Sequence, residues 1–400
     1  MNLSFFFRLM TRGLSRRTGV RWAAGMVLAA TLGLSAAAGQ PYSYFVTGNA
    51  QTSVTIPTPP STPSLVLMGG GPDVDAAFRW MLIRAGIQPG TGGRFVVIRA
   101  TGTEAYNPYI YYSDAAFSTS TTITEQWVGG AALGLSSVET LVIPNATAAN
   151  DPFVNTVLSK AHAVFIAGGD QSDYIKSWKG TKLDQTLRAL VLNKVPIGGT
   201  SAGMAVLGQF DFAALKGTVT SAQALSDPFN KTMTLDPSPL SLAGGFLTPP
   251  ALANTVLDTH LDSRDRMGRL IAFVARLVAP DAGFGCPGGL LAAGTGRSAT
   301  ARGIGVDVET ALLVQGNPGA DAAFTARRVT NPSTSTESAV YFVRPLSPPT
   351  VCAPGKALTM TSVEIKKLAD SDTVFNLSDW SGLAGYTVDA IAGALTSYPY

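Results

Sequence analysis

Apolar runs alternate with stretches of helical periodicity through the first half of the chain. Continuous apolar runs of strand length lie at 65–68, 94–100, 138–144 and 163–169, with another beginning at 195. Between them, apolar residues recur at helical spacing over 73–85, 152–162 and 182–193. Strands that are apolar throughout and separated by helices are typical of a parallel sheet covered on both faces. The pattern therefore predicts an α/β fold with a mostly parallel sheet.

The second half of the chain has a looser pattern. Residues 209–250 contain many turn formers, which predicts a long active-site flap or a small hairpin. A regular pattern returns at 251–261 and 267–278, residues 303–314 read as a strand pair or a strand plus turn, and 338–343 as a late strand. We expect an α/β catalytic domain over 64–315 and a β-rich C-terminal extension over 316–400 that packs on it.

The first 63 residues differ from the rest. An arginine-rich stretch is followed by an apolar run from Trp22, and the alanines at 36–38 offer a cleavage site, so residues 1–38 are predicted to be a secretory signal peptide. The alternative is an uncleaved membrane anchor, although the apolar run is short for a bilayer span. Arg16 and Arg17 leave the export route open between the general and the twin-arginine pathways. Residues 39–63 are rich in Thr, Ser, Gly and Pro and are predicted to be a linker.

Composition narrows the function classes. Hydrophobic residues make up 46% of the chain and charged residues 14%, which indicates a globular protein with a large core. The net charge of +3 comes largely from the arginines of the leader, so the remainder has no basic surface for nucleic acid. In an exported protein the two cysteines, Cys286 and Cys352, are expected to form one disulfide. No metal site and no cofactor are expected.

The stretch 195–208, VPIGGTSAGMAVLG, carries the clearest sign of chemistry. It reads as a strand, a tight turn and a helix, with Ser201 at the apex of a G-x-S-x-G pattern. Small flanking residues let such a turn hold a serine hydroxyl clear of the sheet, and the following helix directs backbone N–H groups at the same place. Glycines at 69–71, 168–169 and 198–199 end three strands, and the crevice of a parallel sheet lies beyond those ends. Ser201 is therefore predicted to be a nucleophile.

A serine nucleophile needs a base within hydrogen-bond reach, and the chain has two histidines. His162 lies at the end of its strand opposite the glycines and is interpreted as structural. His260 lies in a polar cluster, LDTHLDSRDRMGRL, and is the base candidate. The arginines that follow, Arg264, Arg266 and Arg269, have two interpretations of equal weight. Either they pair with Asp258, Asp262 and Asp265, or some of them grip a substrate carboxylate.

Four blocks of the chain give it a resemblance to the extracellular cyanophycinases, which are relatives of the dipeptidase E serine peptidases. The blocks are FIAGGDQ (165–171), GGTSAGMAVLG (198–208), HLDSRDRMGRL (260–270) and GIGVDVETALLV (303–314). They occur in the family's order, and the spacing H-x-x-x-R-x-R-x-x-R from His260 to Arg269 is the family's form. The resemblance spans about residues 64–314.

The resemblance implies a flavodoxin-like (class I glutamine-amidotransferase-like) sheet and a secreted Ser–His–acid peptidase. Its substrate would be cyanophycin, a poly-aspartate with arginine on each β-carboxyl, cut to β-Asp-Arg dipeptides through an acyl-enzyme. Ser201 would be the nucleophile and His260 the general base. The oxyanion donors would be the N–H groups of Ala202 and of the 69–71 turn, taken at Gly70. The residues that would line or brace the substrate groove are Asp170, Gln171, Asp258, Arg264, Arg266 and Arg269.

The chain departs from the family at the acid of the triad. Family members often carry Glu in a stretch resembling S-x-E-A-L, where this chain has Gln223 in SAQAL. A Gln carbonyl can accept from an imidazole and fix its tautomer, as Asn does in papain-like sites. Gln223 is therefore predicted to orient His260, with Asp227 as the alternative. Thr259 also differs, since the residue before the histidine is often Gln.

Three other functions stay open. An α/β-hydrolase esterase shares the serine turn, although the basic cluster around His260 suits an apolar acyl pocket poorly. An aspartyl dipeptidase of the same fold would cut small dipeptides, and a non-catalytic protein would only bind the polymer. The expected partner is the cyanophycin polymer, with no nucleic acid and no membrane after signal cleavage. Oligomeric state is left open between a monomer and a homodimer.

Overall fold

The computed structural model of the chain describes residues 39–113, 127–295, 300–334 and 336–400. The predicted signal peptide at 1–38 lies outside the described residues. In the described ranges, no helix combines the length and the apolar character needed to cross a bilayer.

Strands and helices alternate up to residue 277, and strands follow. The strands are β1 (Ser43–Gly48), β2 (Ser64–Met68), β3 (Arg94–Arg99), β4 (Ser137–Val142), β5 (Ala163–Ile166), β6 (Ile197–Thr200), β7 (Asp211–Phe212), β8 (Leu235–Asp236), β9 (Thr255–Thr259), β10 (Arg302–Val306), β11 (Thr310–Asn317), β12 (Ala320–Thr330), β13 (Val340–Pro345), β14 (Met360–Leu368), β15 (Phe375–Asn376), β16 (Gly385–Ile391) and β17 (Ala394–Leu395). The helices are α1 (Asp75–Arg84), α2 (Tyr106–Tyr111), α3 (Ala146–Ala149), α4 (Pro152–Ser159), α5 (Gln171–Ser177), α6 (Lys182–Leu192), α7 (Ala202–Ala205), α8 (Ser221–Ser226) and α9 (Met267–Leu277), with a 3-10 turn at Pro250–Leu252.

The predicted parallel sheet forms the centre of a nine-stranded mixed sheet. Its order is β1-β4-β3-β5-β6-β2-β11-β12-β15. The five strands from β4 to β2 are parallel, while β1, β11, β12 and β15 pair antiparallel at the two sides. Strands β2 and β5 are buried at every position, because both faces of the sheet are covered. The predicted α/β class is therefore confirmed, and the sheet that was predicted to be mostly parallel is mixed.

Two helical layers and a second sheet cover the first sheet. On one face, Phe78 and Met81 of α1 pack against Val66 and Phe165. On the other face, helices α4 to α6 cover one part, where Leu187 joins the core around Val164. The second sheet covers the other part of that face. Strands of both sheets therefore share one hydrophobic core.

The second sheet was not predicted. It has six strands in the order β17-β16-β14-β13-β10-β9, and only β9 and β10 are parallel. The segment 303–314, predicted as a strand pair or a strand plus turn, contains two strands, but β10 and β11 belong to different sheets and do not pair with each other. A turn in which Glu309 has φ 55° separates them. A single flavodoxin-like sheet is thus an incomplete description of this chain.

Two predicted boundaries do not appear as breaks in the fold. The prediction of a linker at 39–63 is wrong for residues 43–48, because they form β1 and pair with β4 at the edge of the first sheet. Residues after 315 are mainly strands, and they pair into both sheets. Residues 40–400 accordingly form one unit.

Two local predictions are confirmed. Cys286 and Cys352 form a disulfide with a Cα–Cα distance of 5.0 Å. In the segment 209–250, the short strands β7 and β8 pair antiparallel, and the long connection between them contains helix α8.

Candidate active site

Ser201 stands on a sharp turn between β6 and α7. Its backbone has φ 50° and ψ −121°, and its N–H donates to the Met68 carbonyl at 3.1 Å. A Cβ at position 203 would lie 2.0 Å from the Ile166 carbonyl oxygen, so the helix approaches β5 closely only because residue 203 is glycine. The strained backbone of Ser201 is the conformation expected of a nucleophile turn.

His260 reaches Ser201 from the second sheet. It follows β9, has φ 50°, and its N–H donates to the Gly69 carbonyl at 2.8 Å. The distance from Ser201 Oγ to His260 Nε2 is 2.8 Å. The two side chains that the sequence predicted to act together are therefore in hydrogen-bond contact, although their strands lie in different sheets.

The 69–71 turn closes the space around the imidazole. Gly70 has φ 105°, and a Cβ there would lie 2.4 Å from His260 Cε1 and Nε2. Among the described residues, none accepts a hydrogen bond from the N–H of Gly70 or Ala202. Both predicted oxyanion donors thus flank the Ser201–His260 pair with N–H groups that are unoccupied by protein acceptors.

The surroundings of His260 favour its neutral form. Burial, followed by the positive charges of Arg264 and Arg266, lowers the pKa of His260 to about 4. A neutral imidazole can accept the serine proton through Nε2 if Nδ1 carries the hydrogen. No side chain in the described part of the chain makes a hydrogen bond to His260 Nδ1. The site is therefore a Ser–His pair without a third member among the described residues.

The prediction that Gln223 orients His260 is wrong. Gln223 is exposed at the third position of α8, where its Oε1 accepts from the Thr220 N–H at 3.0 Å in a capping box. Asp227, the alternative, accepts from the backbone N–H groups of Phe229 and Gly355. The Gln223 side chain is used within its own helix, where it accepts a hydrogen bond from an N–H group that has no backbone partner at the helix start.

Asp258 and Arg269 form a buried pair behind His260. Each is 2% exposed, and the Arg269 Nε and Nη2 groups donate to the two Asp258 oxygens at 2.7 and 2.6 Å. Arg269 also donates to the Val219 carbonyl at 3.1 Å. Both side chains are closed off from solvent, so they brace the site and do not line a groove.

The other two arginines differ from Arg269 and from each other. Arg266 is half-buried and donates to the Thr259 carbonyl at 2.8 Å, with its guanidinium 3.9 Å from Asp258. Arg264 is exposed and makes no ion pair or side-chain hydrogen bond with the residues that the structure describes. Of the two equally weighted interpretations, ion pairing thus holds for Arg269 and weakly for Arg266, and Arg264 is free to meet a ligand.

Asp170 and Gln171 follow β5 at the same edge of the sheet. Asp170 is exposed and caps α5 by accepting from the Ser172 N–H at 2.8 Å. Gln171 is half-buried, and its Nε2 lies 3.3 Å from the Phe212 carbonyl. A Cβ at Gly168 would lie 3.4 Å from Ser201 Cβ, which places this loop beside the serine turn.

Sequence reasoning missed residues that hold the segment 260–267, which we call the His260 loop, and Asp307 and Tyr400 are among them. Asp307 accepts from the Asp262 N–H at 3.1 Å, and Asp262 in turn accepts from the Val308 N–H. Burial raises the pKa of Asp307 to about 7. Tyr400 reaches the same loop through its hydroxyl. No local pattern at Tyr400 could have indicated this, since the partners are more than a hundred positions apart.

The fold and the site together define an α/β protein with a serine turn and a histidine in the arrangement that serine hydrolases use. A model of Peptidase family S51 matches residues 114–220. This match includes Ser201, Asp170 and Gln171, and it ends before His260.

Curated relatives give a partial match. The chain is 28% identical over 141 residues to the cyanophycinase of Geminocystis herdmanii (strain PCC 6308), which is 35% of this chain and 46% of that protein. It is 29% identical over 144 residues to the cyanophycinase of Trichormus variabilis (strain ATCC 29413 / PCC 7937), covering 36% of this chain and 43% of that protein. The match thus spans less than half the length of these relatives.

Two solved structures are also similar. A peptidase from an acI-B1 Actinobacterium has 16% identity and a TM-score of 0.39, over 72% of this chain and 93% of that one. A putative Peptidase E protein from Listeria monocytogenes EGD-e has 14% identity and a TM-score of 0.32, over 68% of this chain and all of that one.

Proposed function

We propose that this protein is a serine peptidase that hydrolyses cyanophycin, multi-L-arginyl-poly-L-aspartate, to β-Asp-Arg dipeptides. The observation that carries the proposal is the 2.8 Å contact between Ser201 Oγ, on its strained turn, and His260 Nε2. The Peptidase S51 match supports peptide hydrolysis, and the cyanophycinase relatives suggest the substrate.

Acylation would begin with the Ser201–His260 pair. As Ser201 Oγ attacks the scissile carbonyl carbon, His260 Nε2 takes the hydroxyl proton. The tetrahedral oxyanion would accept hydrogen bonds from the N–H groups of Gly70 and Ala202, which have no described protein acceptor. When the C–N bond breaks, His260 returns the proton to the leaving amine.

In deacylation, water would take the place of Ser201 as the nucleophile, and Ser201 Oγ would become the leaving group. His260 takes a proton from water, the hydroxide attacks the acyl carbon, and the bond to Ser201 Oγ breaks as the proton returns to it. Without a described group on Nδ1, the imidazolium is stabilised less than in a full triad. The low pKa of His260 fits this arrangement, because nothing close to the ring favours its charged form enough to offset burial and the arginines.

The charges around the site suit the proposed substrate. Each cyanophycin unit carries a guanidinium and a free carboxylate, so a groove for it needs both signs of charge. Arg264 is exposed beside His260, and Asp170 is exposed on the loop beside Ser201. We assign Arg264 to the substrate carboxylate, with Arg266 behind it, and Asp170 with Gln171 to the guanidinium side.

Export is part of the same proposal. Residues 1–38 have the signal-peptide pattern, and the Cys286–Cys352 disulfide is of the kind that persists outside the cytosol. A secreted enzyme would reach a polymer that forms insoluble granules and cannot enter an intact cell.

The test is hydrolysis of purified cyanophycin by the mature protein. We expect a clearing halo in polymer agar and β-Asp-Arg by mass spectrometry, with Ser201→Ala and His260→Ala each lowering turnover by several orders of magnitude. Assays on Asp-X dipeptides and short p-nitrophenyl esters separate the dipeptidase and esterase alternatives. Polymer binding without cleavage by the unmodified protein would instead support a non-catalytic role and overturn the proposal.

A further inference from the structure

Tyr400 is joined to the His260 loop by every hydrogen bond that its hydroxyl makes with the described residues. The Tyr400 hydroxyl accepts from the Met267 N–H at 3.0 Å. It also lies 3.1 Å from the Leu261 carbonyl and 3.0 Å from Asp265 Oδ1, the two acceptors that share its proton. One phenol thus connects the beginning and the end of the loop, across a sequence separation of 139 residues from Leu261.

The helix that follows the loop lacks a cap of its own. Its N-cap residue is Arg266, a cation, whose side chain makes no hydrogen bond to the N–H groups of the first turn. Ser221 accepts from the Arg269 N–H at 3.1 Å, which leaves the Met267 N–H to another acceptor. The Tyr400 oxygen takes the place of a capping side chain at Met267. Because Arg266 N–H also donates to the Leu261 carbonyl, the phenol completes a closed set of hydrogen bonds around the loop.

The ring of Tyr400 is fixed by the second sheet. It packs edge to face on Tyr341 with ring centroids 5.8 Å apart, and Tyr341 is a buried residue of β13. By contrast, Tyr398 is 80% exposed, and its ring lies 5.5 Å from that of Tyr400. The phenol that contacts the loop is therefore anchored, while a neighbouring tyrosine is not.

We propose that Tyr400 is a positioning residue that holds the His260 loop so that His260 faces Ser201 and Arg264 faces the substrate. This rests on the proposed Ser201–His260 hydrolase. The residue touches neither reacting group; it acts through the loop that presents both the base and the exposed arginine. The downstream strands would then take part in forming the active site.

The test compares Tyr400→Phe with the matched control Tyr398→Phe. Tyr400→Phe removes hydrogen bonds that favour the ordered loop over a displaced loop by about tenfold. We therefore expect kcat/KM to fall about tenfold, with both kcat and KM affected. Tyr398→Phe should stay within about twofold. A loosened loop also exposes the imidazole to water and moves Arg264 and Arg266 away. The acid limb of kcat/KM should then move toward higher pH in Tyr400→Phe alone.

A second measurement does not depend on the polymer. The rate at which a fluorophosphonate labels Ser201 depends on His260 as base, so it should fall about tenfold in Tyr400→Phe and be unchanged in Tyr398→Phe. If the unmodified protein is neither labelled nor active, the proposed hydrolase fails. If it is labelled, and Tyr400→Phe matches Tyr398→Phe in labelling, kinetics and pH profile, the positioning role is overturned while the hydrolase stands.

Discussion

The serine turn and the His260 loop are built in different ways. Ser201 is held at the edge of the parallel sheet by its N–H bond to Met68 of β2, and Gly203 of the helix that follows packs closely on Ile166 of β5. The His260 loop enters from the second sheet. Its bonds to other segments include those to Gly69, Asp307 and Tyr400. The nucleophile is thus held within one sheet, whereas the loop of the base also depends on residues from the second sheet and the C-terminal part of the chain.

This difference has a consequence for mutation. Changes in the strands around Ser201 disturb the core of the sheet, because those positions are buried on both faces. Changes in the distant supports of the His260 loop leave that sheet intact and act on the imidazole and its arginines. Variants that change only the serine turn or only the His260 loop therefore test whether the two regions are as independent as their contacts suggest.

The largest effect is expected at the buried Asp258–Arg269 pair behind His260. Arg269→Ala leaves the Asp258 carboxylate buried without its bidentate partner, which should lower the free energy of unfolding by about 3–5 kcal/mol. Arg264→Ala, a matched arginine control from the His260 loop, removes an exposed side chain and should stay within about 0.5 kcal/mol. Urea unfolding measures both. Equal losses of unfolding free energy in the two variants would contradict a bracing role for the buried Asp258–Arg269 pair.

The next effect is expected where the two regions meet. In Gly70→Ala the new methyl group would overlap the His260 ring, so the imidazole must shift and activity should fall by roughly 10²-fold. Gly90 also has a positive φ, of 89°, but nothing lies within 4 Å of its added Cβ. Gly90→Ala therefore carries the same backbone strain without the clash and should retain activity.

Both variants should lose thermal stability, because both place alanine in a backbone conformation that favours glycine, and Gly70→Ala should lose more because of its clash. If Gly70→Ala retained the activity of Gly90→Ala, the 69–71 turn would not define the position of the imidazole.

The parts that the sequence could predict are those that local pattern determines. The parallel strands follow from continuous apolar runs, and the Ser201 turn follows from the small residues packed around it. His260 could be chosen because only two histidines exist and one lies at the wrong end of its strand. In each of these cases the deciding information lies within a few residues.

The parts that could not be predicted depend on distant partners. Nothing within 303–314 reveals that β10 and β11 enter different sheets, since their partners β9 and β2 lie elsewhere in the chain. Gln223 was assigned by its position in a motif, while the structure shows a helix-capping role that its local sequence also allows. The position of a residue in a motif does not show whether its side chain caps its own helix or contacts a residue from a distant part of the chain.

A smaller effect is expected in the pH dependence of the base. The positive charges of Arg264, Arg266 and Arg269 lower the pKa of His260, and the negative charge of Asp258 raises it. Because kcat/KM requires neutral His260, its acid limb should lie near the pKa of about 4. Arg264→Ala removes one repulsive charge, so the limb should move upward by on the order of half a pH unit. A downward shift would contradict the assigned proximity.

The smallest effect is expected at Gln223. If its side chain serves only the capping box of α8, Gln223→Glu keeps an acceptor for the Thr220 N–H and places a negative charge near the helix N-terminus, where it is favourable. We expect kcat/KM within about twofold of the unmodified protein and stability unchanged or slightly higher. Gln223→Ala, the control, should lose about 1 kcal/mol of stability without loss of activity. A large gain in kcat for Gln223→Glu would instead mean that this side chain reaches His260 during turnover, and that the His260 loop is less fixed than its bonds indicate.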